Sequence, residues 1–99
     1  MQPMRQGDVI LMPIPANSAT GELLPHLTLA EGEVTGHRHR ISQGNAELRE
    51  QEGVLYLMVD SDTATLTHEE HKPIQIPQGT WIVRIQRQYE PGEWGYVED

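Results

Sequence analysis

The apolar positions of this chain fall into short runs, and prolines and glycines interrupt them about every ten residues, which suits β-strands and leaves little room for helices. Residues 8–14 (DVILMPI) read as a first strand closed by Pro13 and Pro15, because proline cannot donate to a ladder. Residues 16–25 are small and polar and read as a loop. Residues 27–30 form a short strand, Glu31-Gly32-Glu33 a turn, and residues 34–41 a further strand. Residues 42–45 (SQGN) read as a hairpin turn from which residues 46–50 return, and Gln51-Glu52-Gly53 as another turn. Residues 54–59 (VLYLMV) are the most apolar run. Asp60-Ser61-Asp62 is expected to turn it into residues 63–68, which alternate cleanly. Residues 72–77 are extended, and Pro77-Gln78-Gly79 turns into a last strand over residues 81–89.

This pattern predicts an all-β chain: a small single-domain β-barrel or a two-sheet sandwich spanning residues 1–99, with residues 90–99 an acidic tail that carries Trp94 and Tyr96. Alternation within the runs predicts a core of Val9, Leu11, Leu27, Leu29, Ile41, Leu55, Leu57, Val59, Leu66, Ile74, Ile76, Val83 and Ile85, with Trp81 near one rim. The 54–59 run is apolar on both faces. Its outer residues Tyr56 and Met58, with Ile82, therefore call for a cover. The aromatic tail folding back could supply it, but a homodimer is the favoured expectation.

Composition narrows the chemistry. The chain of 99 residues has a net charge of −8, which argues against a nucleic-acid or anionic-membrane surface as its main business. It has no cysteine, so disulfides, thiolate metal sites and cysteine nucleophiles are excluded. No apolar run is long enough to span a membrane, and the opening MQPMRQGDVI lacks the apolar core of a secretory signal, so the expected compartment is the cytoplasm. No nucleophile elbow or phosphate-binding glycine loop is present. Asp60-Ser61-Asp62 lacks the pattern of a calcium loop. Arg38, Arg40, Arg49, Arg84 and Arg87 could form an anion-binding surface, although ion pairs with the many glutamates are the simpler reading.

What stands out is five histidines in so small and acidic a chain, four of them in two close pairs. In a strand, His37, His39 and Ile41 share one face and Arg38 and Arg40 the other. Histidines two apart lie roughly 7 Å from each other along a strand, near enough for their tips to converge on one ion. His68 continues the apolar face of Ala64 and Leu66. His71 follows beyond Glu69-Glu70, and that spacing requires a turn. His37, His39, His68 and His71 are therefore candidate ligands of a divalent metal ion such as Zn, Fe, Ni or Mn. Glu69 and Glu70 are candidates to orient a ligand or move a proton in catalysis. Three histidines and an open position suit catalysis on a small molecule; four would close the site and make it structural. His26 earns no role. The competing reading is a non-enzymatic interaction or structural module whose histidines are surface or pH-sensing groups.

Gly32 followed by His37-x-His39, with Glu47 and then Gly53 downstream, resembles the first signature of the cupin superfamily, and Pro77-Gln78-Gly79 resembles the Pro-x-Gly turn of the second. The resemblance covers residues 32–85. It implies a small β-barrel that holds one divalent metal by the His-x-His pair, a glutamate and a later histidine. Two positions depart from that pattern. Glu47 lies farther beyond His39 than the family's carboxylate does, and the place of the later histidine is taken by Ile82. The resemblance then implies that His68 or His71 fills the last role from a neighbouring strand.

Overall fold

The computed structural model describes residues 1–32 and 35–86, together with the strand backbone at 89–90 and 93–94. Among them are ten strands and no helix: β1 (Met4–Gln6), β2 (Val9–Ile14), β3 (Glu22–Leu23), β4 (Thr28–Glu31), β5 (Arg38–Gln43), β6 (Ala46–Gln51), β7 (Val54–His68), β8 (His71–Ile85), β9 (Tyr89–Glu90) and β10 (Glu93–Trp94). β9 and β10 pair with each other; the rest form one antiparallel sheet in the order β1-β2-β8-β7-β5-β4, with β6 also on β7 and β3 on β6. The sheet is strongly curled, a half-barrel. No helix among the described residues is long and apolar enough to cross a membrane.

Two expected turns are not turns. Residues 54–68 run as one strand through Asp60-Ser61-Asp62, and residues 71–85 run as one strand through Pro77-Gln78-Gly79. Val59 pairs with Gly79 and Thr63 with Pro77, so residues 60–62 lie opposite Gln78 alone. This is a bulge, which absorbs extra residues and bends the ladder. The bulge is held by partners of its own. The Asp60 and Ser61 N–H groups donate to the Asn45 carbonyl, and the Gln78 amide donates to the Asp60 carbonyl at 2.7 Å. Local turn chemistry was outweighed by pairing along the whole hairpin.

The expected hairpin at residues 42–45 also fails. β5 and β6 lie end to end along the same edge of β7, β5 against Thr65–Thr67 and β6 against Val54–Val59. The chain continues in one direction through Gly44, which has φ +97° and lies against the backbone of Thr63 and Ala64. Breaks in neighbouring strands thus line up across the sheet at Gly44-Asn45, residues 60–62 and Gln78, and bulges of this kind bend the strands that carry them.

The inner face buries Val9, Leu11, Leu29, Ile41, Leu57, Val59, Leu66, Ile76 and Val83 as expected. Leu27, Leu55 and Ile74 pack against this cluster but are only partly buried. Leu48 and Ala64 belong to the core as well. Ile85 does not: it ends β8 at 38% exposure. Trp81 is fully buried rather than rimmed, paired across from Leu57, with its indole N–H donating to the Pro77 carbonyl at 3.3 Å. On the outer face Ile82 lies between Tyr56 and Met12. β8 stops at Ile85, short of the expected residue 89. Arg87, Tyr96 and the side chain of Trp94 lie outside the described residues.

Candidate metal centre

All four candidate histidines meet at one end of the sheet. β7 and β8 are joined by a tight turn at Glu69-Glu70, so His68 and His71 face each other across the last rung of the hairpin with ring centres 4.7 Å apart. β5 lies beside β7, and its alternation buries His39 and Ile41 while exposing Arg38 and Arg40. His39 reaches within 4.2 Å of His68, centre to centre, and 5.8 Å of His71. His37 immediately precedes β5, and its half-buried ring meets His68 edge-on at 5.7 Å.

The turn carboxylates close one side. Glu69 accepts the backbone N–H of Arg38 at 2.9 Å, which ties the hairpin end to β5 and, ahead of a bond from its own backbone, lowers the Glu69 carboxyl below its ordinary pKa. Ligand atoms of His37, His68 and Glu69 all lie within 4.8 Å of one another. Glu70 places a carboxylate oxygen 3.6 Å from His37 Nδ1, beyond hydrogen-bond range, and that nitrogen is buried without a hydrogen-bond partner. The Glu70 N–H donates to His68 Nδ1 at 3.0 Å, so the neutral His68 ring carries its proton on Nε2. Loss of solvent and then the neighbouring His71 hold the His68 pKa below its ordinary value, outweighing the opposing pull of Glu69 and Glu70. His68 is therefore neutral near pH 7, the form in which imidazole binds metal.

Two residues that the sequence did not single out support the other side. The Gln6 amide nitrogen donates to the carbonyls of Leu66 and Lys72, both at 2.9 Å, which turns its oxygen toward His39 Nδ1, also at 2.9 Å. Asp8 lies with Oδ1 3.6 Å from His39 Nε2. Gln6 ends β1, and Asp8 lies in the Gly7-Asp8 turn that leads into β2. A side chain on Gly7 would sit 2.7 Å from His71 Nε2 and 3.1 Å from His39 Cε1; one on Gly32 would sit 3.0 Å from His68 Nε2. Glycine is what lets the backbone close in on these rings. Nothing local in the sequence marks Gln6 or Asp8, because Leu66 and His39, which they meet here, lie more than thirty residues away.

Glu47 lies elsewhere. It sits on β6 opposite Met58 and pairs with Arg49 at 3.5 Å, toward the other end of β7. Among the arginines, Arg49 also donates to the Gly21 carbonyl, and Arg38, Arg40 and Arg84 are exposed. His26 accepts the Thr28 N–H, away from the cluster.

Residues 5–86 match a family model described as a domain of unknown function (DUF8820), a span that takes in Gln6, Asp8 and all four clustered histidines. No curated protein and no solved structure matches the chain.

Proposed function

This chain belongs to the DUF8820 family, and from the geometry of its histidine cluster we propose that it is a divalent-metal-binding β protein that acts on, or carries, a small molecule. The observation that carries the reading is the convergence of His37, His68 and Glu69 within 4.8 Å, beside a buried His37 nitrogen that has no hydrogen-bond partner. Burying an unsatisfied polar atom is costly, and an ion relieves that cost. Two imidazoles and a carboxylate are a donor set suited to Zn, Fe, Ni or Mn. Three protein ligands would leave an ion held here an open position, and the chemistry it would supply is Lewis-acid polarisation or an acidified water.

The chain's own groups have distinct parts. His37, His68 and Glu69 bind, and the Arg38 N–H orients Glu69. Glu70, 3.6 Å from His37 Nδ1, is placed to accept or deliver a proton at the site. In this reading the likeness to cupins rests on the His-x-His pair, and the carboxylate comes from the Glu69-Glu70 turn in place of Glu47. The protein works as a homodimer in the cytoplasm, its apolar strip of Met12, Tyr56 and Ile82 covered by a second copy.

Elemental analysis of untagged protein tests the reading, together with melting curves with and without chelator. The expected result is at least one ion per chain and a melting temperature that falls on chelation, because the ion binds only the folded arrangement. Protein that binds no stoichiometric ion, and whose melting is indifferent to chelator and to His37→Ala, overturns it in favour of an interaction module.

A further inference from the structure

Resting on the metal-binding reading, we infer that His39 is a positioning residue: it binds no ion itself and backs the His68 ring, so that His68 meets the ion in one orientation. The two histidines of the His-x-His pair are placed differently. His37 precedes β5, half-buried, with a nitrogen that has no hydrogen-bond partner. His39 lies inside β5 at 2% exposure, and both of its nitrogens face the β1–β2 segment: Nδ1 is 2.9 Å from Gln6 Oε1, and Nε2 is 3.6 Å from Asp8 Oδ1. Among the described residues, the ligand atoms that gather within 4.8 Å of one another belong to His37, His68 and Glu69, and His39 contributes none of them.

What His39 does touch is the His68 ring. Their centres lie 4.2 Å apart with the planes 33° from parallel, closer than the roughly 4.5–7 Å at which aromatic rings usually pack. His71, at 4.7 Å, and His37, at 5.7 Å, stand farther from the same ring. The backing ring is itself held fast. Gln6 is 3% exposed and its amide nitrogen is bonded to the Leu66 and Lys72 carbonyls, so its oxygen grips His39 Nδ1 from a fixed place. The Gly7 backbone stands against the ring's edge, where a Cβ would lie 3.1 Å from Cε1. His68, by contrast, sits partly buried on the last rung of the β7–β8 hairpin. The outer torsion of a histidine is broad, and a fixed ring against its face narrows it. A ligand already held in its binding orientation loses less freedom when an ion arrives, which raises affinity.

The test titrates Zn²⁺ into untagged, chelator-stripped protein whose histidine rings are isotope-labelled at nitrogen. His37 and His68 should each show one nitrogen at a metal-bound chemical shift, while His39 keeps the shifts of the metal-free protein. Calorimetry then compares His39→Leu with His39→Phe. Both refill the buried space, but only the second presents a flat ring to His68. Each should still bind one zinc ion, with affinity lowered roughly tenfold or more by His39→Leu and largely restored in His39→Phe. Circular dichroism confirms that the variants keep their strand signal. Where one does not fold, through-space contacts between ring protons of the native protein decide: the His39–His68 contact should be the same before and after zinc, and its loss on binding overturns the role. A metal-bound His39 nitrogen, an affinity unmoved by His39→Leu, or a His39→Phe protein that binds no better than His39→Leu overturns the positioning role and leaves the metal-binding reading standing. A native protein that binds no zinc overturns both.

Discussion

Gln6 fixes which nitrogen of His39 carries the proton: its amide spans two backbone carbonyls on the β7–β8 hairpin and offers its oxygen to Nδ1 at 2.9 Å. Gln6 is 3% exposed and His39 2%, so water cannot stand in for either partner. Gln6→Ala removes a donor from the Leu66 and Lys72 carbonyls and the acceptor facing His39 Nδ1. It is expected to lower stability by about 2–3 kcal/mol, measured by urea unfolding. Nitrogen chemical shifts of the native metal-free protein should show His39 as the Nδ1–H form. The opposite tautomer would show that Gln6 does not orient the ring.

Glycine substitutions separate crowding at the cluster from backbone strain. Gly32→Ala puts a methyl 3.0 Å from His68 Nε2 and 3.1 Å from His37 Cβ. Zinc affinity should fall roughly tenfold or more, as when groups that orient a ligand are disturbed. Gly53 has φ +80° and open space around its missing side chain. Gly53→Ala should cost about 1 kcal/mol of stability through strain and leave zinc affinity unchanged. Calorimetry on both variants distinguishes the two effects.

The metal-free protein should lose stability on mild acidification. A histidine whose folded pKa lies below its ordinary 6.5 binds fewer protons folded than unfolded, so stability is lost as pH drops from 6.5 through the folded value. Glu69, depressed from 4.5, adds a further loss at lower pH, present above its unfolded value and gone once the carboxylate is protonated. Urea midpoints between pH 7.5 and 5.5 should fall, and His68→Gln should flatten the slope. A midpoint independent of pH across that range would contradict the lowered His68 value.

The core makes a contrast between two residues of similar size. Leu48 is fully buried and Ile85 is 38% exposed. Leu48→Ala should cost about 2–5 kcal/mol, and Ile85→Ala about 1 kcal/mol or less. Thermal or urea unfolding reads both.

Self-association is read by light scattering. The outer strip holds Met12, at 39% exposure, beside Ile82 and Tyr56. A second copy over that strip gives twice the chain mass of 11.2 kDa. Met12→Lys with Ile82→Lys should return the protein to a single chain. A native protein that is already monomeric at micromolar concentration rules the pairing out.

What the sequence reveals about this protein depends on how far apart its interacting residues lie. Alternation along residues 38–41 puts His39 inward with Ile41, and the spacing of His68 and His71 demands the turn that Glu69-Glu70 makes. Both are local relations. Asp60-Ser61-Asp62 and Pro77-Gln78-Gly79 have turn-forming composition, yet they face each other across a paired hairpin as a bulge, which only the partner strand could reveal. Gln6 ends the short first strand and Asp8 lies in the polar turn after it; their importance comes from residues thirty to sixty-six positions away. Ile85 fits the alternation but lies at the end of its strand, where the described residues leave it 38% exposed.

The Gln6 bonds join residues 60 and 66 positions apart in the chain, whereas the hairpin beside them closes over a two-residue turn. Contacts of such different span assemble at different entropic cost: the hairpin loop closes cheaply, and the N-terminal strand must find its place across nearly two-thirds of the chain. The first strand is consequently the piece that can peel away while the hairpin persists. The Gln6 side chain, bonded to the carbonyls of Leu66 and Lys72, is the clasp on that seam. Its removal in Gln6→Ala should show in hydrogen exchange as faster opening of Met4–Gln6, with the amides near the Glu69-Glu70 turn little changed.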